Sequence, residues 1–196
     1  MIITTKQLMQ KYESYKVPKM KIKYEIEKGH YIFLKRGLYE TNKEVDPSLL
    51  AAYIHNSSYL SFEYALAYYG LIPEKVFNYT SAITGEKHNY AYRNEFGRYS
   101  YQNVPMTAFA NEVNYKLIGE YSFLIASKEK AICDTLYTKK PVSSVKELKS
   151  LLFDSLRIEE EDFKELNLDT LIELSELYKS TNLKYLRKYV EDLKNE

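Results

Sequence analysis

The sequence predicts a mixed α/β (α+β) protein: a short basic head of helices and strands, a larger middle built on a short-stranded β-sheet, and a helical tail. Three observations carry this. Apolar residues recur at helical spacing up to Lys28, over 47–70, and again beyond Ser127. Between Val76 and about Ile125 the period shifts towards two, with Gly, Asn and Ser interrupting the runs. The charge is also uneven. Residues 1–44 hold ten Lys/Arg against five Asp/Glu (+5), residues 45–140 nine against nine, and residues 141–196 nine against thirteen (−4), within an overall +1.

In the head, Thr4 or Thr5 can cap a helix reaching about Tyr12, with Leu8 and Met9 on its inward side. A turn over Glu13–Val17 leads to Pro18, suited to the first position of a second helix that ends at Gly29. Val17, Met20, Tyr24 and Ile26 are expected to face a core, with Lys19 and Lys23 outward and Lys16 and Lys21 at the edges. A β-rich run, HYIFLKRGLYE, bends at Lys35-Arg36-Gly37. Together these elements read as a small winged helix-turn-helix over residues 1–44, short enough to need its neighbour to bury its open side.

Asp46-Pro47 marks the boundary to a second domain, 45–196. A helix from Pro47 to about His55 is expected, then one from Ser61 to Gly70 with Ser61 as its cap. Strands follow near 76–83, 87–93, 98–104, 115–119 and 121–125, without a sign of whether they pair parallel or antiparallel. Ser127–Thr138 returns to helix, with Ala131, Ile132, Thr135 and Leu136 as its buried stripe. From about 141 the tail is helical near 143–155, 159–166, 169–179 and 181–194, with Leu171, Leu174, Leu177 and Tyr178, then Leu183, Leu186, Val190 and Leu193, at core spacing.

Several function classes lack their residues. Hydrophobic residues are 45% of 196, enough for a core, but no apolar run approaches the ~20 residues of a membrane span. The N-terminal sequence lacks the layout of a secretory signal, and a cytoplasmic protein is expected. Cys133 alone supports neither a disulfide nor a cysteine zinc site, and its apolar helix suggests a buried structural thiol. His30, His55 and His88 have no metal-ligand spacing, and the six glycines form no phosphate-cradling loop. Glu159-Glu160-Glu161-Asp162 are consecutive, so they suit a solvated first helical turn rather than a catalytic pair. No enzyme, cofactor or metal is expected. Twenty-one tyrosines with no tryptophan can serve base stacking, or reflect AT-rich coding.

The basic head points to nucleic acid. A helix fits the major groove, where lysines reach phosphates or guanine edges. Candidate DNA contacts are Lys16, Lys19, Lys21, Lys23 and Lys28 around the second helix and Lys35 and Arg36 at the bend. Lys87, Arg93 and Arg98 are candidates for extending the track. The other reading of the same residues is a solvated lysine-rich face.

Three stretches, in order, resemble the AbiEi-type antitoxins of type IV toxin–antitoxin (abortive infection) systems. LKRGLYE at 34–40 resembles the end of their wing, and YLSFEYALAYYGLIPEKV at 59–76 is similar to their serine-led helix followed by Gly-Leu-Ile-Pro. ASKEKAICDTLY at 126–137 resembles their A-x-x-EKA-x-x-D-x-x-Y helix through Ala126, Glu129, Lys130, Ala131, Asp134 and Tyr137. Lys128 stands where a proline is frequent, and Tyr64 departs from S-x-E-S-A-L, which reads Ser61-Phe62-Glu63-Tyr64-Ala65-Leu66 here. The resemblance implies a phage-defence antitoxin and transcriptional repressor that binds inverted repeats in double-stranded promoter DNA. Two copies on adjacent half-sites of such a repeat are expected to bind cooperatively, from a monomer in solution. The resemblance also implies as functional partner a co-encoded AbiEii-like nucleotidyltransferase toxin. The alternative is a protein-interaction module that neutralises the toxin by direct binding through the acidic tail, with DNA binding incidental.

Overall fold

A computed structural model describes residues 1–195. The chain is mixed α/β, with a three-stranded sheet in the head and a six-stranded sheet in the body. The head runs β1 (Ile2–Thr4), α1 (Thr5–Lys11), α2 (Pro18–Glu27), β2 (Ile32–Lys35) and β3 (Leu38–Glu40). Its strands pair antiparallel in the order β1-β3-β2. A capping box starts α1: the Thr4 hydroxyl accepts from the Gln7 backbone N–H, and the Gln7 side chain accepts from that of Thr4. Gly29 takes a φ of 74° just past α2, the left-handed stop its position predicts.

Leu8, Ile22 and Tyr31 form a small core of their own between α1, α2 and the sheet. The inward face of α2 therefore differs from the expectation. Val17, Met20 and Tyr24 are exposed at 51%, 63% and 48%, while Ile22 and Glu25 are buried and Ile26 partly so. The geometry explains it: Ile22 lies two residues from both Met20 and Tyr24, about 200° around the helix. Once Ile22 meets Leu8, those two face outward.

The body begins with a 3-10 turn, Pro47–Leu50, running into α3 (Ala51–Ile54) and capped by Asp46, whose carboxylate accepts from the Ser48 N–H. Next come β4 (Tyr59–Leu60), α4 (Phe62–Tyr68), β5 (Asn78–Ile83), β6 (Tyr90–Asn94), β7 (Gly97–Asn103) and the short α5 (Met106–Phe109). The hairpin β8 (Val113–Ile118) and β9 (Tyr121–Ala126) completes a sheet ordered β6-β7-β5-β4-β9-β8. The pairings are mixed: β5–β7 and β4–β9 are parallel, the others antiparallel.

Helix α6 (Lys128–Thr138) is capped by Ser127, which accepts from the Lys130 N–H, and is buried along its length from Lys130 to Leu136. The tail follows as α7 (Val145–Lys149) continued by π-helical turns over Ser150–Ser155, then α8 (Glu160–Lys164), α9 (Leu168–Glu176) and α10 (Thr181–Lys194). Leu171, Leu174, Leu183, Leu186 and Val190 all enter the large core, so the tail is part of the body rather than a detachable arm. Among the described residues, no helix is long and apolar enough to cross a membrane.

The head is fastened to the body at several points. Leu34 of β2 enters the large core. Its carbonyl accepts from Asn94 Nδ2 at 3.2 Å, and Lys35 Nζ donates to the Ile54 carbonyl at 2.6 Å. At the other end, Tyr121 donates to the buried Glu40 carboxylate at 3.0 Å, which also accepts from the N–H groups of Thr41 and Asn42.

Candidate nucleic-acid interface

The outward face of α2 is a stripe set by the burial of Ile22. Lys16 (in the preceding turn), Lys19, Met20, Lys23, Tyr24 and Glu27 are all exposed, at the three- and four-residue spacing of one helical face. Lys23 Nζ sits 3.8 Å from Glu27, a loose exposed pair, and Lys28 Nζ lies 4.4 Å from the centroid of the Tyr24 ring. Lys16 and Lys19 make no ion pair among the described residues.

Two candidate contacts are already engaged. Lys21 turns to Glu25 at 2.5 Å and lies beside the Tyr15 and Tyr24 rings. Glu25 also binds His30 Nδ1 at 2.5 Å. The Lys21 ammonium and then the His30 contact hold the Glu25 carboxyl down at about 2, well below the usual 4.5. Lys35, bonded to the Ile54 carbonyl, ties head to body, so Arg36 is the exposed cation at the bend. Gly37 there has a φ of 85°, and its carbonyl accepts from the Thr5 N–H at 3.0 Å, locking the bend to the start of α1.

The body's candidates separate into two places. Arg93 and Arg98 face each other across the β6–β7 hairpin, next to the Asn94 contact with the head. The strand near 87–93 begins only at Tyr90, which leaves Lys87 beside it. Lys87 lies in the exposed turn before β6, at the opposite end of that strand from Arg93. These sites are not brought together.

One polar cluster escapes a reading of sequence alone. Lys130 and Asp134 form a fully buried pair in α6, surrounded by Tyr59, Ser61 and Tyr178. Desolvation pulls the Lys130 ammonium pKa down against the attraction of Asp134, and pushes the Tyr59 and Tyr178 hydroxyls up. Without an opening to solvent this is a structural lock. Ser61, expected to cap α4, instead donates its hydroxyl to Asp134 at 2.7 Å. The α4 N–H of Tyr64 is taken by Thr80 Oγ1 from β5 at 3.1 Å, and that hydroxyl donates to the Ser61 carbonyl. Phe62, buried at a φ of 56°, makes the sharp entry that aims Ser61 at Asp134. Cys133 is also buried, and burial pushes its thiol pKa up, away from nucleophile chemistry. Comparison with protein-family models gives no match, and comparison with curated proteins gives no significant match.

Proposed function

We propose that the chain is a cytoplasmic, DNA-binding regulator that represses its own promoter as the antitoxin of a type IV toxin–antitoxin pair. In this reading residues 1–44 act as a winged helix. Helix α2 enters the major groove and the Arg36 bend is the wing on the flanking backbone. The observation that supports it most is the exposed α2 stripe, in which Lys16 and Lys19 have no ion pair among the described residues and Lys23 has only its loose 3.8 Å pair with Glu27, so all three can reach phosphates or guanine edges. Met20 and Tyr24, exposed between them, offer the apolar surface that reads thymine methyl groups.

The antitoxin part of the reading rests on the resemblance of 34–40, 59–76 and 126–137. The charge of the head supports DNA binding independently. If each copy neutralises about five phosphates, log affinity falls with log salt at a slope near −4 to −5. A titration of promoter duplex from low to moderate salt tests this; a slope near zero would remove the phosphate-binding role.

One observation favours the second reading, direct binding of a protein partner. Strand β8 is an outer strand of its sheet, and Tyr115 and Leu117 on it, with Leu124 beside them, are exposed. Such an edge can accept a partner's strand. A Leu117→Lys variant that keeps DNA binding but loses toxin neutralisation would support it.

A further inference from the structure

The β6–β7 hairpin carries an arrangement that duplex binding through α2 does not use. Arg93 and Arg98 are directly opposite in its register, so their side chains leave the same face of the sheet. Both are exposed, and among the described residues neither has an ion pair or a hydrogen bond through its side chain. Like charges placed directly opposite destabilise a sheet. Glu95, in the turn between them, lines the same groove without pairing with either. Neither arginine therefore has an ion pair among the described residues, although the Glu95 carboxylate shares the groove.

The two arginines open onto a groove of about 650 Å³, walled on its other side by Val76, Phe77 and Asn78. Phe77 is 75% exposed, a bare ring at the groove wall, with Lys75 Nζ 5.6 Å from its centroid. Asn78 donates to Ser100 at 2.9 Å, while its Oδ1 is buried without a partner. Two guanidiniums suit the planar, bidentate recognition of a phosphate. An exposed aromatic beside such cations is the combination by which proteins hold single strands: cations track the backbone, and an unpaired base stacks on the ring. A duplex keeps its bases stacked and paired, so it has no use for Phe77.

We propose that this groove is a second nucleic-acid site, taking a backbone phosphate of a single strand between Arg93 and Arg98 and an unpaired base on Phe77. The site stands independently of α2. A labelled oligothymidylate of about twelve nucleotides, within the span such sites cover, is titrated with the full chain at about 0.15 M salt. The expected result is saturable binding that R93A/R98A weakens at least about tenfold, flattening the salt slope by about 0.7 for the phosphate lost. F77A is expected to weaken it by about 5- to 150-fold, the range for one stacked base. Both sites of substitution are exposed, and thermal melting checks the fold. Should R93A/R98A melt early, R93Q/R98Q and F77A carry the test.

The proposal is overturned by absence of binding, by binding that neither variant changes, or by an F77A variant that binds as well as the parent. It is also overturned if inorganic phosphate at millimolar concentration displaces the strand completely. A K19A/K23A variant is read only on promoter duplex, so failure of the α2 reading and failure of this one appear in separate measurements.

Discussion

Lys130 Nζ lies 3.3 Å from Asp134 Oδ1 one helical turn away, and neither side chain reaches solvent. Every further bond at this pair comes from another element. Lys130 donates to the Ala108 carbonyl at 2.6 Å and to the Tyr178 oxygen at 2.5 Å, and the Tyr178 hydroxyl in turn donates to Asp134 at 2.5 Å. Tyr59 and Ser61 donate to Oδ2 at 3.0 and 2.7 Å. The pair thus joins α6 to β4, to the α5 segment and to the residues following α9. Asp134→Leu leaves an ammonium buried without its counter-ion, and urea unfolding should show a loss of about 3–5 kcal/mol. K130M/D134L should recover part of that, since the charge is gone. It should remain below the parent because the Tyr59 and Ser61 hydroxyls keep no acceptor. A loss under about 1 kcal/mol in D134L would contradict the lock.

Thr80 caps a helix to which it does not belong. Its hydroxyl accepts from the Tyr64 N–H and donates to the Ser61 carbonyl, binding β5 to the start of α4. Thr80→Val keeps the shape and removes both bonds, and the midpoint of urea unfolding should fall by the equivalent of about 0.5–2 kcal/mol. An unchanged midpoint would mean that α4 finds its cap elsewhere.

Glu25 couples the head to acid. Its carboxyl titrates at about 2 in the folded chain against an ordinary 4.5, chiefly through the Lys21 contact. A lowered folded value means the unfolded chain binds the proton more readily, so the stabilisation is complete above about pH 4.5 and is lost as pH falls towards 2. Glu25→Gln should flatten this part of the acid-unfolding curve followed by circular dichroism. The variant also frees Lys21, and the slope of DNA affinity against salt should steepen by up to about 0.9. A parent and variant with superimposable curves between those pH values would remove Glu25 from the account.

Gly97 closes the tip of the β6–β7 hairpin at a φ of 145°, and a Cβ there would lie 3.0 Å from Tyr79 Cε2. Tyr79 is itself held against Tyr99, with ring centroids 5.1 Å apart. Gly97→Ala should therefore cost about 1–3 kcal/mol from backbone strain and displaced packing. Thermal melting measures it, and a variant as stable as the parent would show that the ring yields freely.

Much of this architecture can be read from the chain because the signals are local. The Thr4–Gln7 capping box, Pro18 and Gly29 mark the head's helices, and period-two runs locate five of the body's strands. Two strands escape, β1 and β4, since three and two residues carry no period. The facing of α2 also misleads, because a ten-residue helix with apolar residues on both sides leaves the choice to Leu8 across from it. Lys21 and Lys35 read as free cations until their partners Glu25 and the Ile54 carbonyl are placed beside them. For Asp134 the sequence shows a Lys–Asp pair at helical spacing in an apolar run. The hydroxyls that complete the site come from 44 to 75 residues away and have no local signature.

Fluorescence anisotropy tests most directly whether the exposed lysines of α2 bind promoter DNA. Duplex from the chain's own upstream region and a scrambled duplex are titrated at about 0.15 M salt with the parent and with K19A/K23A. The parent should bind its own DNA at least about 10³-fold more tightly than the scrambled duplex. Losing two phosphate contacts should weaken both and flatten the salt slope by about 1.8. Equal, weak binding to both duplexes, unchanged in K19A/K23A, would contradict such binding and leave the basic face of α2 as a solvated surface.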